Sequence, residues 1–379
     1  MSKRPRAARP GISKIALILS FLCGVLVGVG SLFLYSVLDQ VEDDRLPEIE
    51  DAFETDADAI VQIASEAQVI AKRKELIKFI WGEAGFPDSE LPDKVEEGTR
   101  DERYAGLNNL KQINRIYIPM EWGIDSIVYH FIPLAGNNEL VIYHQGHRGD
   151  FIHGLDTISA LLDRGYAVIG MSMPLLGLNN QPVVHLERFG WLKITSHEQL
   201  KFLEMDAGHP IKFFLHPVAV VLNYAQQYGY DSLHMVGLSG GGWTTTLYAA
   251  IDTRISHSYP VAGSLPIYLR SESSEDWGDY EQNVPELYKI ANYLELYVLG
   301  SYGKGRKQLQ ILNKYDPCCF AGTKYRTYEK ATRDKVYALG KGAFQVYLDD
   351  SHREHQISRQ AIEVIIDDLE RKRKSVRAQ

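Results

Sequence analysis

Apolar positions divide the chain into three regimes. From Ile15 to Leu38 the run is uncharged throughout, long enough to cross a hydrocarbon core of about 30 Å as a helix. Between Ala59 and Phe79 the residues Ala59, Ile60, Ile63, Val69, Ile70, Leu76, Ile77 and Phe79 recur at near-helical spacing, up to a break at Gly85-Phe86-Pro87. Beyond Gln112 short β-rich runs alternate with amphipathic segments, the pattern of βαβ units around a mostly parallel sheet. The strands predicted are Ile113–Pro119, Ser126–Pro133, Leu140–His144, Ala167–Met171, Leu233–Val236, Ser256–Val261, Gln308–Asn313 and Phe344–Leu348. Helices fit at Asp156–Arg164, Ile211–Gln227, Trp243–Ile251, Tyr328–Leu339 and Ser358–Lys372. Two stretches, Leu175–Gly208 and Gly263–Gly305, break the alternation and are read as insertions.

Charge assigns the first regime. Lys3, Arg4, Arg6, Arg9 and Lys14 precede the apolar run, and Asp39, Glu42, Asp43 and Asp44 follow it. The positive-inside rule therefore expects a cytoplasmic tail over residues 1–14, a transmembrane signal-anchor helix over 15–38 and a catalytic region outside the cytoplasm, on the periplasmic face if the source is bacterial. A cleaved signal peptide would have a shorter apolar region and a small-residue cleavage site, which does not stand out here. Residues 39–112 read as an acidic stalk followed by the packing helix, and 113–372 as the catalytic domain, with insertions near 175–208 and 263–305.

Composition, at 45% hydrophobic and 24% charged, is that of a folded globular protein. A net charge of −8, with basic residues beyond the N-terminus interleaved with acids, gives no cationic face for nucleic acid. Three cysteines make no disulfide framework: Cys23 lies in the apolar run, and Cys318 and Cys319 are adjacent, where a bridge is geometrically awkward.

The chemistry is carried by Gly237-Leu238-Ser239-Gly240-Gly241, which follows the strand Leu233–Val236 and precedes a helix near Trp243. In that context G-x-S-x-G forms a sharp turn that exposes a serine hydroxyl above the sheet. A phosphate cradle would require the Lys and Ser/Thr of a P-loop, and neither follows. A serine needs a base, and the base a carboxylate to orient it. Asp316 stands just past the strand Gln308–Asn313, although an Asp before Pro317 also suits a simple turn. After the last strand come His352 and His355. His355 lies nearer the Ser358 cap and is preferred as base; His352 remains a competitor, as Asp349 or Asp350 does for Asp316. The loop Gln145-Gly146-His147-Arg148-Gly149-Asp150, after the third predicted strand, stands where a second oxyanion donor is expected, so the backbone amides of His147 and Gly240 are assigned that role. The spacing His144-x-x-His147 suits a metal, but no third ligand of suitable spacing is apparent and none is assigned.

From Ile113 to Lys372 the chain resembles the α/β-hydrolase superfamily of serine hydrolases, within it the esterase and prolyl-oligopeptidase-like branches. The resemblance implies an eight-stranded, mostly parallel sheet flanked by helices, a Ser239–Asp316–His355 triad and no cofactor. Two departures are visible: Gln145-Gly146 replaces a common His-Gly, and three glycines follow Ser239. Ester hydrolysis through an acyl-enzyme is the expected activity. A prolyl-oligopeptidase-type peptidase is the rival, though too few residues precede Ile113 for its propeller; a non-catalytic binding protein on the same scaffold is the other. Asp276–Gln282, with Tyr288, Tyr293, Tyr297 and Tyr302, is either a carbohydrate-binding lining or ordinary core and rim. The mixed polarity of 175–208 favours a polar small-molecule or carbohydrate ester over a lipid, with the bilayer as a partner only of the N-terminal helix.

Overall fold

The computed structural model describes residues 55–270 and 277–377. The predicted membrane span, most of the acidic stalk and Cys23 lie outside the described residues. No helix among those described is long and apolar enough to cross a membrane.

Each of the eight predicted strands forms. In chain order the strands are β1 (Lys94–Glu96), β2 (Leu110–Pro119), β3 (Asp125–Pro133), β4 (Glu139–His144), β5 (Ala167–Met171), β6 (Val183–Leu186), β7 (Gly190–Lys193), β8 (Ser232–Leu238), β9 (Ile255–Val261), β10 (Lys307–Asn313) and β11 (Ala343–Asp349). The main sheet runs β1-β2-β3-β5-β4-β8-β9-β10-β11. It therefore holds nine strands, and the expected count of eight is corrected by β1, a three-residue edge strand antiparallel to β2. Two of its three residues are charged, and so short and polar an edge carries no alternating apolar signal. From β5 through β11 all neighbours in the sheet are parallel. Every residue of β4 and β5 is buried, as expected of strands covered on both faces.

The register brings the chemistry to one edge. His144 at the end of β4 pairs with Gly237, Leu238 at the end of β8 pairs with Val261, and Asn313 at the end of β10 pairs with Asp349 of β11. The loops leaving β4, β8, β10 and β11 thus emerge together at the carboxyl edge, where open parallel sheets bind ligands.

The helix Glu66–Trp81 is capped by Ser65 and buries Val69, Leu76, Ile80 and Trp81, each worth on the order of 1.5–3 kcal/mol or more. It is tied to the body of the fold by polar contacts. Arg73 donates to the carbonyls of Ala250 and Leu299 at 2.9 and 3.2 Å, and Lys72 pairs with buried Glu295 at 3.0 Å. The stretch 175–208 contains the β6–β7 hairpin and a short turn of helix, His197–Leu200. The stretch 263–305 contains helices Pro285–Ile290 and Tyr293–Ser301, which carry the crossover from β9 to β10. Every residue of Tyr293–Ser301 is buried, so that helix has no polar face and no amphipathic period to reveal it.

Several core histidines are held neutral. Burial pushes His130, which contacts the hydroxyls of Tyr224 and Tyr230, down to about 3. His257 is pushed to about 3 by burial and by His234. Both values lie below the ordinary histidine value of about 6.5. As pH falls below 6.5 the unfolded chain therefore takes up protons that the folded chain refuses, and stability is lost through the window down to about 3. Each group contributes about 1.4 kcal/mol per pH unit. Urea unfolding of the His130→Gln variant between pH 6 and pH 4.5 is expected to show a pH slope shallower than the wild type by about that amount; an unchanged slope would contradict a neutral buried His130.

Candidate active site

Ser239 sits between β8 and the helix Gly240–Ile251 with φ 57° and ψ −124°, a backbone conformation that costs a non-glycine residue of order 1–3 kcal/mol. Neighbours hold it there. Its N–H donates to the carbonyl of Val261 at 2.9 Å, and its carbonyl accepts from the Trp243 N–H at 2.9 Å. The glycines around it are required by close packing: a Cβ on Gly241 would lie 2.1 Å from the His144 carbonyl oxygen, and one on Gly146 would lie 2.6 Å from the Ser239 Cβ. Glycine at 241 and 146 thus lets the elbow pack directly on the loop after β4.

Asp316 and His355 are brought together. His355 Nδ1 lies 2.8 Å from Asp316 Oδ2, with both side chains buried. Asp316 Oδ2 also accepts from Asn313 Nδ2 at 3.0 Å, and Oδ1 accepts the N–H groups of Cys318 and Cys319 at 2.8 and 3.0 Å. Burial pushes the Asp316 carboxyl up, but the hydrogen bond and charge of His355 with these two amides outweigh it and hold the group below its ordinary value. It is therefore an ionised acceptor that orients the imidazole through Nδ1 and leaves Nε2 on the opposite side of the ring. Cys318 and Cys319 are joined to each other, a bridge that sequence adjacency argued against, in the turn that wraps the Asp316 carboxylate.

Asp349 and His352 make contacts of their own. Asp349 accepts from the Ser351 N–H at 3.0 Å, from the Ser351 hydroxyl at 2.6 Å and from the Ser358 hydroxyl, so it organises the cap of the final helix. His352 faces Asp349 at 3.5 Å, and its Nδ1 accepts the Glu354 N–H at 3.2 Å. Asp350 is exposed.

The N–H groups of His147 and Gly240 have no protein hydrogen-bond partner among the described residues, and a Cβ on Gly146 would come within 3.1 Å of the Gly240 nitrogen. Both donors are thus unengaged in the two segments that meet at Ser239. Gln145 is buried and accepts the Tyr143 hydroxyl, so it serves to hold the loop. His144 is also buried, its Nδ1 at 2.9 Å from the Gln145 carbonyl, and it does not join His147.

The His147 side chain instead meets three residues from the two insertions. Its Nε2 lies 2.9 Å from Asp279 Oδ2, 3.1 Å from Glu281 Oε1 and 3.1 Å from His197 Nδ1. Sequence reading missed this group because the partners stand far apart in the chain, and only the acidic Asp276–Gln282 run signalled it. In the same segment Tyr288, Tyr293 and Tyr297 are buried core, Tyr288 accepting the Trp243 Nε1–H at 2.8 Å, so they line no carbohydrate cleft; Trp277 is exposed.

No protein-family model matches the chain, and no curated protein matches it either. Solved structures do share its fold. Methylesterase BT1017 matches with a TM-score of 0.51 at 13% identity, over 86% of this chain and 65% of that one. An acetyl xylan esterase from Paenibacillus sp. R4 matches with a TM-score of 0.48 at 14% identity, over 86% and 97% of the two chains. Est1E from Butyrivibrio proteoclasticus gives 0.45 at 14%, over 68% and 98%. At such identities the likeness is one of fold, and the fold is that of the α/β-hydrolases.

If Asp316 and His355 serve as acid and base, His355→Ala is expected to lower the turnover of a short acyl ester by about three decades or more, and His352→Ala by less than about tenfold. Steady-state kinetics on the two variants decides; the reverse order would transfer the base to His352.

Proposed function

We propose that the protein is a serine hydrolase that cleaves a carboxylic ester through an acyl-enzyme. His355 takes the Ser239 hydroxyl proton as the serine oxygen attacks the ester carbonyl. The N–H groups of His147 and Gly240 receive the negative charge that develops on the carbonyl oxygen. Collapse of the tetrahedral species expels the alcohol, which takes the proton from the His355 imidazolium. Water, deprotonated by His355, then attacks the acyl group and releases the acid, restoring Ser239. The carrying observation is the 2.8 Å Asp316–His355 pair at the same sheet edge as a serine in the strained elbow conformation. The reading rests on these side chains; the likeness to methylesterase BT1017 contributes the fold alone.

For the substrate we favour a polar ester such as an acylated carbohydrate. The insertion after β5 presents exposed His185, Glu187, Arg188 and Lys193 interspersed with exposed Val183, Phe189, Trp191 and Phe202, a mixed rather than a purely apolar surface. Phe189 and Trp191 on the same hairpin, and Trp277 on the other insertion, are exposed aromatic faces on which a sugar ring can stack. We further propose that residues 15–38 anchor the enzyme in a bilayer with the N-terminus cytoplasmic and the catalytic region on the opposite side, from the basic-then-acidic flanks of that apolar run.

Ser239→Ala is expected to abolish turnover of short acyl esters while thermal unfolding stays within a few degrees of the wild type. Activity surviving in that variant would remove Ser239 from the mechanism. Faster turnover of aminoacyl amides than of esters by the wild type would replace the esterase reading with a peptidase.

A further inference from the structure

The four side chains His147, His197, Asp279 and Glu281 come from three separate segments and place one ligating atom each within 4.8 Å of one another. The contacts between them do not resolve into ordinary hydrogen bonds. His147 Nε2 faces three atoms at 2.9–3.1 Å, two carboxylate oxygens and His197 Nδ1, whereas one N–H serves one of them well. His197 Nε2 lies 3.0 Å from the Pro174 carbonyl and donates to it, so in the neutral ring Nδ1 carries a lone pair aimed into the cluster. Glu281 is fully buried, and its Oε2 has no hydrogen-bond partner although it lies 3.4 Å from His197 Nδ1. A buried carboxylate oxygen left unpaired is costly unless a cation meets it.

We propose that these four residues form a binding site for a divalent transition-metal ion of the zinc class. Two imidazole nitrogens and two carboxylate oxygens are a borderline donor set suited to Zn²⁺. Bonds of about 2.0–2.1 Å in tetrahedral geometry place neighbouring ligand atoms about 3.3 Å apart. The contacts measured between Nε2, Nδ1 and the carboxylate oxygens run from 2.9 to 3.6 Å and bracket that value. The two carboxylates balance the charge of the ion, and the Pro174 carbonyl supplies the outer contact that fixes a ligating histidine.

Four protein ligands make the site closed, so the ion positions rather than reacts. What it positions is the loop after β4. The His147 ring packs on the elbow, since a Cβ on Gly240 would lie 2.6 Å from its Cε1, and the backbone N–H of the same residue is one of the two donors beside Ser239. The ion thereby joins that loop to the insertion holding His197 and to the one holding Asp279 and Glu281. The inference stands apart from the ester reading, because its test reads metal binding and not turnover.

The full-length protein, purified in detergent and stripped with dipicolinate, is titrated with Zn²⁺ against a chromophoric chelator. One Zn²⁺ per chain with sub-micromolar affinity is expected, accompanied by a rise in the unfolding temperature. His197→Ala and Glu281→Gln are expected to weaken binding by about 100-fold or more, and half-exposed Asp279→Asn by about tenfold. The exposed His185→Ala should bind as the wild type does. Circular dichroism reports whether each variant is folded; if the buried substitutions unfold the chain, Asp279→Asn decides alone. Absence of stoichiometric Zn²⁺ binding in the wild type, or binding by folded Asp279→Asn as tight as the wild type, would overturn the proposal.

Discussion

The conformation of Ser239 is the constraint around which the rest of the site is organised. A side chain other than glycine adopts φ 57°, ψ −124° only when its surroundings over-determine it. Here β9 accepts its N–H through Val261, the first turn of the following helix returns the Trp243 N–H to its carbonyl, and Gly146 of the loop after β4 lies so near its Cβ that no side chain fits there. The elbow is thus clamped from two neighbouring strands and its own helix at once. The clamp explains two sequence features that looked like departures from a family pattern. The extra glycines, Gly240 and Gly242, follow the serine where a Cβ would lie 2.6 Å from the His147 ring and 2.8 Å from the Val261 carbonyl oxygen, and Gln145, in place of a histidine, braces the loop beside Tyr143.

Parallel register then turns one strained residue into an active-site edge. β10 and β11 end level, so the turn holding Asp316 and the loop holding His355 rise side by side. Asp316 is preset before any substrate arrives, with two amides on one oxygen and Asn313 and His355 on the other. In the proposed mechanism such an arrangement would cost little reorganisation as the imidazole takes the serine proton. Asp349, equally buried and only a few residues from His355, is committed to Ser351 and Ser358 and so stabilises the helix start instead.

What could be read from the sequence was local or periodic. Strands buried on both faces announce themselves as apolar runs, and the elbow is contiguous in the chain, so the eight strands, Ser239 and its turn were visible from residues alone. Strand position suggested Asp316 and the nearness of the Ser358 cap suggested His355 over His352; that Asp316 and His355 touch is visible only in the side-chain contacts. Two kinds of feature were invisible. The buried helix Tyr293–Ser301 has no polar stripe, and β1 is too short and charged to mark itself. The meeting of His147 with His197, Asp279 and Glu281 depends on how two insertions close over the sheet edge, and no spacing rule along the chain encodes that.

The central claim is that Ser239 is an activated nucleophile, and the most direct measurement is covalent labelling of the folded protein with a fluorophosphonate probe, read by peptide mass spectrometry. The account predicts a single adduct on the peptide containing Ser239, absent in a Ser239→Ala control. A folded protein that takes no label, or takes it on another residue, would contradict the account and return the scaffold to a binding role.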